Sequence, residues 1–439
     1  MISAYIAPMM LVLIIVLIVF VKMNRLMAGF IGAIILSFFL LYIDKINTVT
    51  VVGFLLGVDN SNLHTILFIF GMMMIITVCK KSGVFVYIGF RLVQFSKGNS
   101  RAILVILSAL TFIFSSISMN ILTIFLVIPL TITICRILRI NPLPFILSEG
   151  MVVNTGGLLF VISSIPNLLI SRNINWTFPQ YFLDVGFFSL YDAWMFVESK
   201  SKLYRSLIML ILTIASIIIV PLFSTITIDS ISLGAGVITI LLVFYKEFRS
   251  IWKELDLELI FYLFCILFIS EAIDYTGILN FVSVGISSLT SGNSVITTLI
   301  LLWVSGILSS VINNAPISKL FIPITNNLST LVGNKRTLFS AVSIGTTLGE
   351  NLSTMGDNLT LIVMVRSYGI DLTFSTFMKL GVIISLIQLI SSSIFLVMKI
   401  NASFFLIGFL ILAGIVFILY FYPSIFNFIR NKLKFLKKE

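Results

Sequence analysis

Long apolar runs interrupted by short polar breaks dominate the hydrophobic pattern of this chain. A bilayer-spanning helix takes about 17 to 25 mainly apolar residues, and such windows recur along the whole chain. Examples are Tyr5 to Val21, Leu26 to Ile43, Leu63 to Val78, Leu207 to Phe223 and Phe404 to Tyr422. Because the runs are continuous rather than alternating, they predict helices. The expected fold class is an all-α membrane protein, a polytopic helical bundle of roughly ten to twelve membrane segments.

Two of the polar breaks nearly repeat each other, about 194 residues apart. Residues 115–120 read Ser-Ser-Ile-Ser-Met-Asn and precede Pro129, and residues 309–314 read Ser-Ser-Val-Ile-Asn-Asn and precede Pro323. Polar interruptions at corresponding places in two hydrophobic halves are a strong sequence pointer to the binding site of a transporter. The repeat therefore predicts an internal duplication and the position of a site.

Composition and charge indicate a membrane protein with a defined orientation. Charged residues make up 10% of the chain and hydrophobic residues 59%, whereas soluble domains carry about 25% charged residues. The net charge is +11, but the basic residues flank apolar spans, which is typical of the positive-inside rule and not of a nucleic-acid surface. With the N-terminus outside and the C-terminus cytoplasmic, about 22 basic residues face the cytoplasm. The outer basic residues are Lys45, Arg172, Lys335, Arg336 and Lys399.

This orientation predicts two re-entrant hairpins. Arg101 and Arg136 fall on the same side although the residues between them are largely apolar, so the chain enters the membrane from the cytoplasm and returns. The stretch from Asn293 to Lys335 does the same from the outside. Because similar sequences enter from opposite sides, we expect two inverted-topology repeats.

A second polar break follows each hairpin, at residues 154–167 and 349–358, and Gly156 in the first corresponds to Gly349 in the second. Irregular backbone at membrane depth is tolerated only where protein buries it or where it lines a cavity, so each repeat is expected to contain a discontinuous helix. The expected division of the chain is 1–60 as N-terminal scaffold helices, 61–205 as the first inverted repeat, 206–253 as connecting helices, 254–398 as the second inverted repeat, and 399–439 as a C-terminal helix with a basic tail.

The stretch from Gly71 to Asn167 carries a family resemblance, through the motifs at residues 81–85, 141–145 and 148–149 and through the first break. A second matching stretch runs from residues 275–277 to about Asn358. On these residues the chain resembles the ion transporter superfamily. It is most similar to the branch of arsenite permeases, NhaD-type sodium/proton antiporters and pink-eyed dilution proteins, with a citrate transporter-like domain related to divalent anion/sodium symporters.

The resemblance implies a secondary transporter in which each half supplies a hairpin and a discontinuous helix to a moving transport domain, beside scaffold helices that often dimerise. The chain departs from the branch at both hairpin tips, where Met119-Asn120 and Asn313-Asn314 replace the usual Asp-Asn. The first break also lacks the usual aspartate, whereas Glu350 stands in the second break where glycine is common. The resemblance therefore implies that the charges lie mainly in the second half.

The candidate binding residues are small hydroxyl, amide and glycine residues at the breaks, which can donate and accept hydrogen bonds or allow close approach. They are Ser116, Ser118, Asn120, Asn154, Gly156, Gly157, Ser164, Asn167, Ser310, Asn313, Asn314, Gly349, Asn351 and Ser353. Ionisable residues inside a membrane are costly and are functional candidates by default. The candidate coupling residues are Lys319, Glu350, Asp357 and Glu149.

Structural roles compete with each of these functional interpretations. The carboxylates could cap helices, the serines and asparagines could join helices, the glycines could serve tight packing, and Lys319 could snorkel to the membrane edge. Lys319 could instead pair with Glu350 or Asp357. We expect Glu271 and Asp274 to be interfacial and His64 to be a surface residue, because each lies near the outer end of an apolar span.

The predicted function is secondary active transport of a small inorganic or organic anion, or of a metalloid oxyanion or hydroxide, across the plasma membrane by ion-coupled alternating access. Arsenite-like efflux is favoured by the resemblance alone. The alternatives are a sodium/proton antiporter and, in another class, a passive anion channel. We expect Na⁺ or H⁺ as the coupling ion, no catalytic residue, resident cofactor, metal or nucleic-acid partner, and a multi-pass protein in the lipid bilayer. A homodimer and a separate ATPase subunit remain open.

Overall fold

The computed structural model describes residues 3–19, 23–57, 60–81, 100–117, 120–174, 176–186, 212, 216, 227–244, 252, 255, 257–311, 314–353 and 357–401. The regular elements in these ranges are helices. The N-terminal helices are α1 Ser3–Val19, α2 Arg25–Phe38 with a π-helical turn Phe39–Ile43, α3 Thr48–Leu56 and α4 Ser61–Lys81. Asn24 and Asn47 start α2 and α3, because their side chains accept hydrogen bonds from the backbone N–H of Leu26 and Val49.

The helices of the first candidate repeat follow in the order that the breaks predict. They are α5 Ser100–Ile117, α6 Asn120–Ile137, α7 Leu143–Gly156, a 3₁₀ turn Val161–Ser163, α8 Ile165–Asn173 and the short α9 Phe178–Tyr181 with a π-helical turn Phe182–Gly186. Proline in the first turn of α8, Pro166, suits a helix start because that position needs no backbone donor. Next along the chain, α10 spans Ile228–Phe244.

In the second candidate repeat the hairpin and the broken helix follow each other in the same order, after two further helices. Its elements are α11 Leu257–Tyr275, α12 Ile278–Leu289, α13 Ser294–Val311, α14 Asn314–Val332, α15 Lys335–Gly349, a 3₁₀ turn Glu350–Leu352, α16 Asp357–Ser367 and α17 Phe374–Ile400. Gly277, with a φ of 74°, adopts a left-handed conformation between α11 and α12. The two helices meet there at a bend of 69°.

Several described helices are long and apolar enough to cross a membrane. By length and composition there are four in the described ranges, or five if the bent pair α11 and α12 counts as one span. The four are Leu26–Ile43, Thr48–Cys79, Ser294–Val311 and Phe374–Ile400. The predicted all-α, multi-pass membrane class is confirmed.

The packing of the described helices pairs corresponding elements of the two halves. Within each half, the first hairpin helix packs on the first part of the broken helix, α5 on α7 and α13 on α15. Between the halves, the second hairpin helix packs on the last part of the other broken helix, α6 on α16 and α14 on α8. Outside this set, α4 packs on α10 and α2 on α11. Hairpins and broken helices therefore interlock across the two halves.

Glycine allows the closest of these contacts. A Cβ atom at Gly156 would collide with the Ser115 side chain and the Phe112 backbone, and one at Gly349 would collide with the backbone of Gly306. Each broken helix therefore ends its first part in close contact with the first helix of its own hairpin.

Hydrogen bonds also join the ends of these helices that lie away from the hairpin tips and the breaks. Arg136, at the end of α6, donates from Nη2 to the backbone oxygen of Tyr368 just after α16, at 2.8 Å. Asn326 in α14 donates to the side-chain oxygen of Asn173 at the end of α8, at 2.7 Å. The end of each broken helix thus lies beside the hairpin of the other half.

Candidate functional site

The hairpin helices end and begin at the predicted polar breaks. In the first hairpin α5 ends at Ile117 and α6 begins at Asn120, and in the second α13 ends at Val311 and α14 begins at Asn314. The candidate binding residues Ser118 and Asn313 lie outside the described residues. Their neighbours Asn120 and Asn314 are therefore the tip residues whose contacts are described.

A chain of buried amides links the first hairpin to both broken helices. Asn120 donates from Nδ2 to Asn154 Oδ1 at 2.7 Å, and Asn154 donates from Nδ2 to Asn351 Oδ1 at 2.7 Å. Asn351 then donates to the backbone oxygen of Met151 at 3.1 Å. Asn154 and Asn351 are fully buried and Asn120 nearly so. These bonds bring three candidate residues, of which the first and last are more than two hundred positions apart in the chain, into one cluster.

The second hairpin tip contacts the second break through a carboxylate. Asn314 donates from Nδ2 to Glu350 Oε2 at 2.9 Å, and both side chains are buried. Asn358 donates to the backbone oxygens of Glu350 at 2.8 Å and Ser353 at 3.2 Å, which holds the break against the start of α16. Ser353 donates to the backbone oxygen of Ser310, so the break is also bonded to the end of α13.

The first break is fixed by a similar set of polar contacts. Asn167 donates from Nδ2 to the backbone oxygen of Gly157 at 2.6 Å, and Ser163 donates to the same oxygen at 2.7 Å. Asn167 Oδ1 accepts from Ser343 Oγ of α15 at 2.8 Å. The two broken helices are therefore joined at Asn167 as well as at the amide chain.

Three buried oxygens in this region accept no hydrogen bond from the described residues. They are Asn120 Oδ1, Asn358 Oδ1 and Ser164 Oγ. A buried polar atom without a partner costs free energy, so native structures usually supply a partner or use the atom for a ligand. The region therefore offers acceptor atoms beyond those that its own hydrogen bonds use.

Helix N-termini add positive potential to the same region. The helices α6, α8, α14 and α16 begin at or beside the two tips and the two breaks. The first N–H groups of a helix lack intrahelical acceptors and carry partial positive charge. An anion or a polar hydroxyl can accept hydrogen bonds there without a basic side chain.

Some candidate binding residues have their polar atoms engaged elsewhere. Ser116 and Ser310, which correspond in the two halves, donate to the backbone of their own helices, to Ile113 and Ile307, each at 2.7 Å. Gly156 and Gly349 lie in the helix contacts described above. By contrast, a Cβ atom at Gly157 would lie 2.8 Å from Asn120 Oδ1, so this glycine borders the first tip.

The coupling candidates are separated in the structure. Lys319 pairs with Glu271 of α11, Nζ to Oε2, at 2.9 Å, rather than with Glu350, which was one of the partners that the sequence left open. The side chain of Asp357 lies outside the described residues. Glu149 is buried in α7 and accepts from Thr131 Oγ1 at 2.5 Å. Lys319 is close to the second tip in sequence, but its position on α14 directs its side chain toward α11, which precedes the hairpin in the chain.

His64 and Glu271, expected at the surface and at the interface, both take part in contacts between charged side chains. His64 Nδ1 lies 2.8 Å from Asp229 Oδ2, and Arg172 Nη2 lies 3.3 Å from Asp229 Oδ1. Glu271 is buried. The sequence did not single out three polar residues that take part in the contacts of this subsection, namely Asp229, Ser343 and Asn358. Asn358 alone had a signal, since it lies in the second break.

Comparison with known proteins agrees with this architecture. Residues 15–221 match the citrate transporter family. A 46 kDa membrane protein of Mycobacterium leprae is 24% identical over 376 residues, which are 76% of this chain and 85% of that protein. The P protein of Sus scrofa is 28% identical over 158 residues, which are 36% of this chain and 18% of that protein.

Structural comparison gives the same fold. The crystal structure of the YdaH transporter of Alcanivorax borkumensis aligns with a TM-score of 0.53 and 15% identity, over 79% of this chain and 86% of that one. The resemblance to citrate transporter-like proteins and the polytopic helical fold are confirmed. The chain is therefore similar to transporters of this family in sequence and to a solved transporter in fold.

Proposed function

We propose that this transporter is a secondary active carrier of a small anion, or of a metalloid oxyanion or hydroxide, that binds between the two hairpin tips and the two breaks. The observation that carries the proposal is the buried chain Asn120, Asn154 and Asn351, which joins one tip to both broken helices. A site built from both hairpins and both broken helices can change its access when these elements move together against the scaffold helices. Arsenite-like efflux is the favoured form of this activity.

The chemistry of the region suits a small ligand rich in oxygen. Amide groups both donate and accept, four helix starts provide N–H groups, and Asn120 Oδ1, Asn358 Oδ1 and Ser164 Oγ are spare acceptors among the described residues. Hydroxyl groups of a metalloid hydroxide can donate to such oxygens and accept from such N–H groups. The same oxygens also suit Na⁺, so we propose Na⁺ or H⁺ as the coupling ion.

We further propose that the two repeats have inverted topology. The contact between Arg136 and Tyr368 puts the start of α7 and the end of α16 on one side. The contact between Asn173 and Asn326 puts the end of α8 and the start of α15 on one side. If each broken helix crosses the membrane, the two run in opposite directions. The charge bias then assigns the side with Arg136 and Tyr368 to the cytoplasm. We propose the plasma membrane as the location of the protein.

Flux into proteoliposomes tests the proposed site. We expect the purified protein to accumulate arsenite or a small anion against its gradient when a proton or sodium gradient is imposed. Asn154→Ala and Asn351→Ala should abolish accumulation, because each removes a bridge between the halves. Asn173→Ala is the matched control, since it removes an exposed amide contact between the same halves. If the two buried-site variants transport like the unmodified protein, the site is wrong.

The same assay separates the alternatives. A sodium/proton antiporter is favoured by one observation, the Glu350 carboxylate at the second tip, because a carboxylate can bind either ion. It would move Na⁺ against ΔpH without any of the anions. A passive anion channel would dissipate a substrate gradient and would never accumulate substrate. Uphill transport therefore eliminates the channel, and the substrate panel separates the two carriers.

A further inference from the structure

The second hairpin forms a charge pair with a helix outside the hairpins and breaks. Lys319 Nζ lies 2.9 Å from Glu271 Oε2, and the two side chains are only 14% and 10% exposed. Lys319 lies in α14, little more than one turn from the tip residue Asn314 that bonds Glu350. Any shift of Lys319 along α11 therefore moves the tip as well.

A second carboxylate lies beside this pair. Asp274 is on α11 three residues after Glu271, and it interacts electrostatically with both Glu271 and Lys319. Residues three apart share a helix face and are separated by about 4.5 Å along the axis. Asp274 is exposed, whereas Glu271 is buried. Lys319 thus faces two carboxylates at successive levels of one helix.

The corresponding positions of the first half carry no charges. The residues about 194 positions earlier, which correspond to Glu271 and Lys319 in the first half, are Thr77 and Phe125. The packing differs too, since α14 lies along α11 whereas α4 and α6 are not packed to this extent in the described ranges. The charge pair and the close helix contact therefore occur together, in one half.

We propose that Lys319 changes partner between Glu271 and Asp274 as the second hairpin moves along α11 in each transport cycle. The three residues are positioning residues, which guide the hairpin and do not bind the substrate. A lysine that left its only partner would strand two buried charges, which is strongly unfavourable. A second carboxylate one turn away keeps the ammonium compensated at both ends of the movement. The inference rests on the proposed function, because it assigns the movement that the site requires.

Single variants test the exchange. We expect Glu271→Gln and Asp274→Asn each to slow transport at saturating substrate by about tenfold or more, while substrate affinity stays within about twofold. Lys319→Arg should keep much of the rate because it keeps the charge. Asp274→Asn is the decisive variant, because its exposed side chain leaves folding intact even if Glu271→Gln destabilises the protein.

Charge reversal separates guidance from mere stability. The double variant Glu271→Lys with Lys319→Glu restores the buried pair with opposite charges. Asp274 stays negative and cannot attract the new glutamate, so the second partner is lost. We therefore expect the unfolding temperature to recover and the transport rate to stay low. Adding Asp274→Lys restores two partners and should restore the rate. Recovery of the rate in the double variant would instead show a single structural pair and overturn the exchange.

A matched control and a site variant complete the experiment. Lys399 and Asp184 form a comparable pair at 2.6 Å away from both hairpins, so Asp184→Asn should leave the transport rate of folded protein unchanged. A normal rate in Asp274→Asn would refute the exchange, while loss of transport in Asn154→Ala would still uphold the site. Normal transport in Asn154→Ala would refute the proposed site, and a lack of uphill transport by the unmodified protein would refute the proposed function itself.

Discussion

At the scale of single residues, the residue types in the two breaks follow from the space and the hydrogen-bond partners available to each side chain. Asn154 uses both ends of its amide, accepting from Asn120 and donating to Asn351. Neither aspartate, which cannot donate when ionised, nor leucine can make both bonds. Gly156 is limited by packing instead, because a Cβ atom there has no room.

Replacement of Asn154 by alanine should destabilise the protein by about 2 kcal/mol or more, because it leaves Asn120 and Asn351 atoms buried without partners. Thermal unfolding in detergent measures the effect. Asn173→Ala, at an exposed contact of the same 2.7 Å length, should cost less than about 0.5 kcal/mol. Equal shifts for the two variants would contradict the buried chain.

Gly156→Ala should destabilise the protein by about 1 to 3 kcal/mol, because the added methyl group overpacks the contact with α5. Gly285→Ala is the control, since no atom lies within 4 Å of its added Cβ in α12. Alanine favours a helix by up to about 1 kcal/mol over glycine, so the control should be neutral or stabilising. The same unfolding assay compares them, and a harmless Gly156→Ala would argue against the close helix contact.

At the scale of elements, each half contributes a hairpin and a broken helix whose ends interlock with those of the other half. The α14 helix packs on α8 of the first half and on α11 of its own half. In the proposed cycle these contacts differ, because α8 moves together with the hairpins whereas α11 belongs to the scaffold. Contacts inside the moving body should persist while contacts to the scaffold change.

Cross-linking distinguishes the two kinds of contact. A short thiol cross-linker joining Asn173→Cys to Asn326→Cys should leave transport nearly unchanged, because both positions lie in the moving body. The same reagent joining Glu271→Cys to Lys319→Cys should stop whatever transport that variant retains, until the link is cleaved. Inhibition by the first link would show that α8 and α14 separate during transport and would contradict a single moving body.

At the scale of the whole molecule, three contacts between charged side chains join segments from distant parts of the chain. Arg172 with Asp229 and His64, and Lys399 with Asp184, involve helix ends that the charge bias assigns to the outside. The backbone N–H of Ser3 also donates to Asp44 at 2.9 Å, which places the start of α1 and the end of the α2 segment together. One assignment of sides therefore accounts for contacts in several parts of the chain.

Thiol labelling of intact cells tests that assignment. A membrane-impermeant maleimide should label Lys335→Cys from outside, and it should label Ser367→Cys only after the membrane is opened. Both positions are exposed, whereas the native Cys79, Cys135 and Cys265 are buried and should react little. The reverse pattern would invert the topology without changing the helix packing.

The sequence by itself determined the helical membrane class, the order of hairpins and breaks, and the positions of Asn120, Asn154, Asn314 and Asn351. Hydrophobic runs and polar interruptions are local properties of the sequence, and similar polar breaks occur twice in this chain. The tertiary structure alone decided which polar groups meet. It bonded Asn154 to Asn351 and paired Lys319 with Glu271, a residue that the sequence had not offered as its partner. The reason is physical: a helix turns its side chains by about 100° per residue, so neighbours along the chain diverge while distant helices supply the partners.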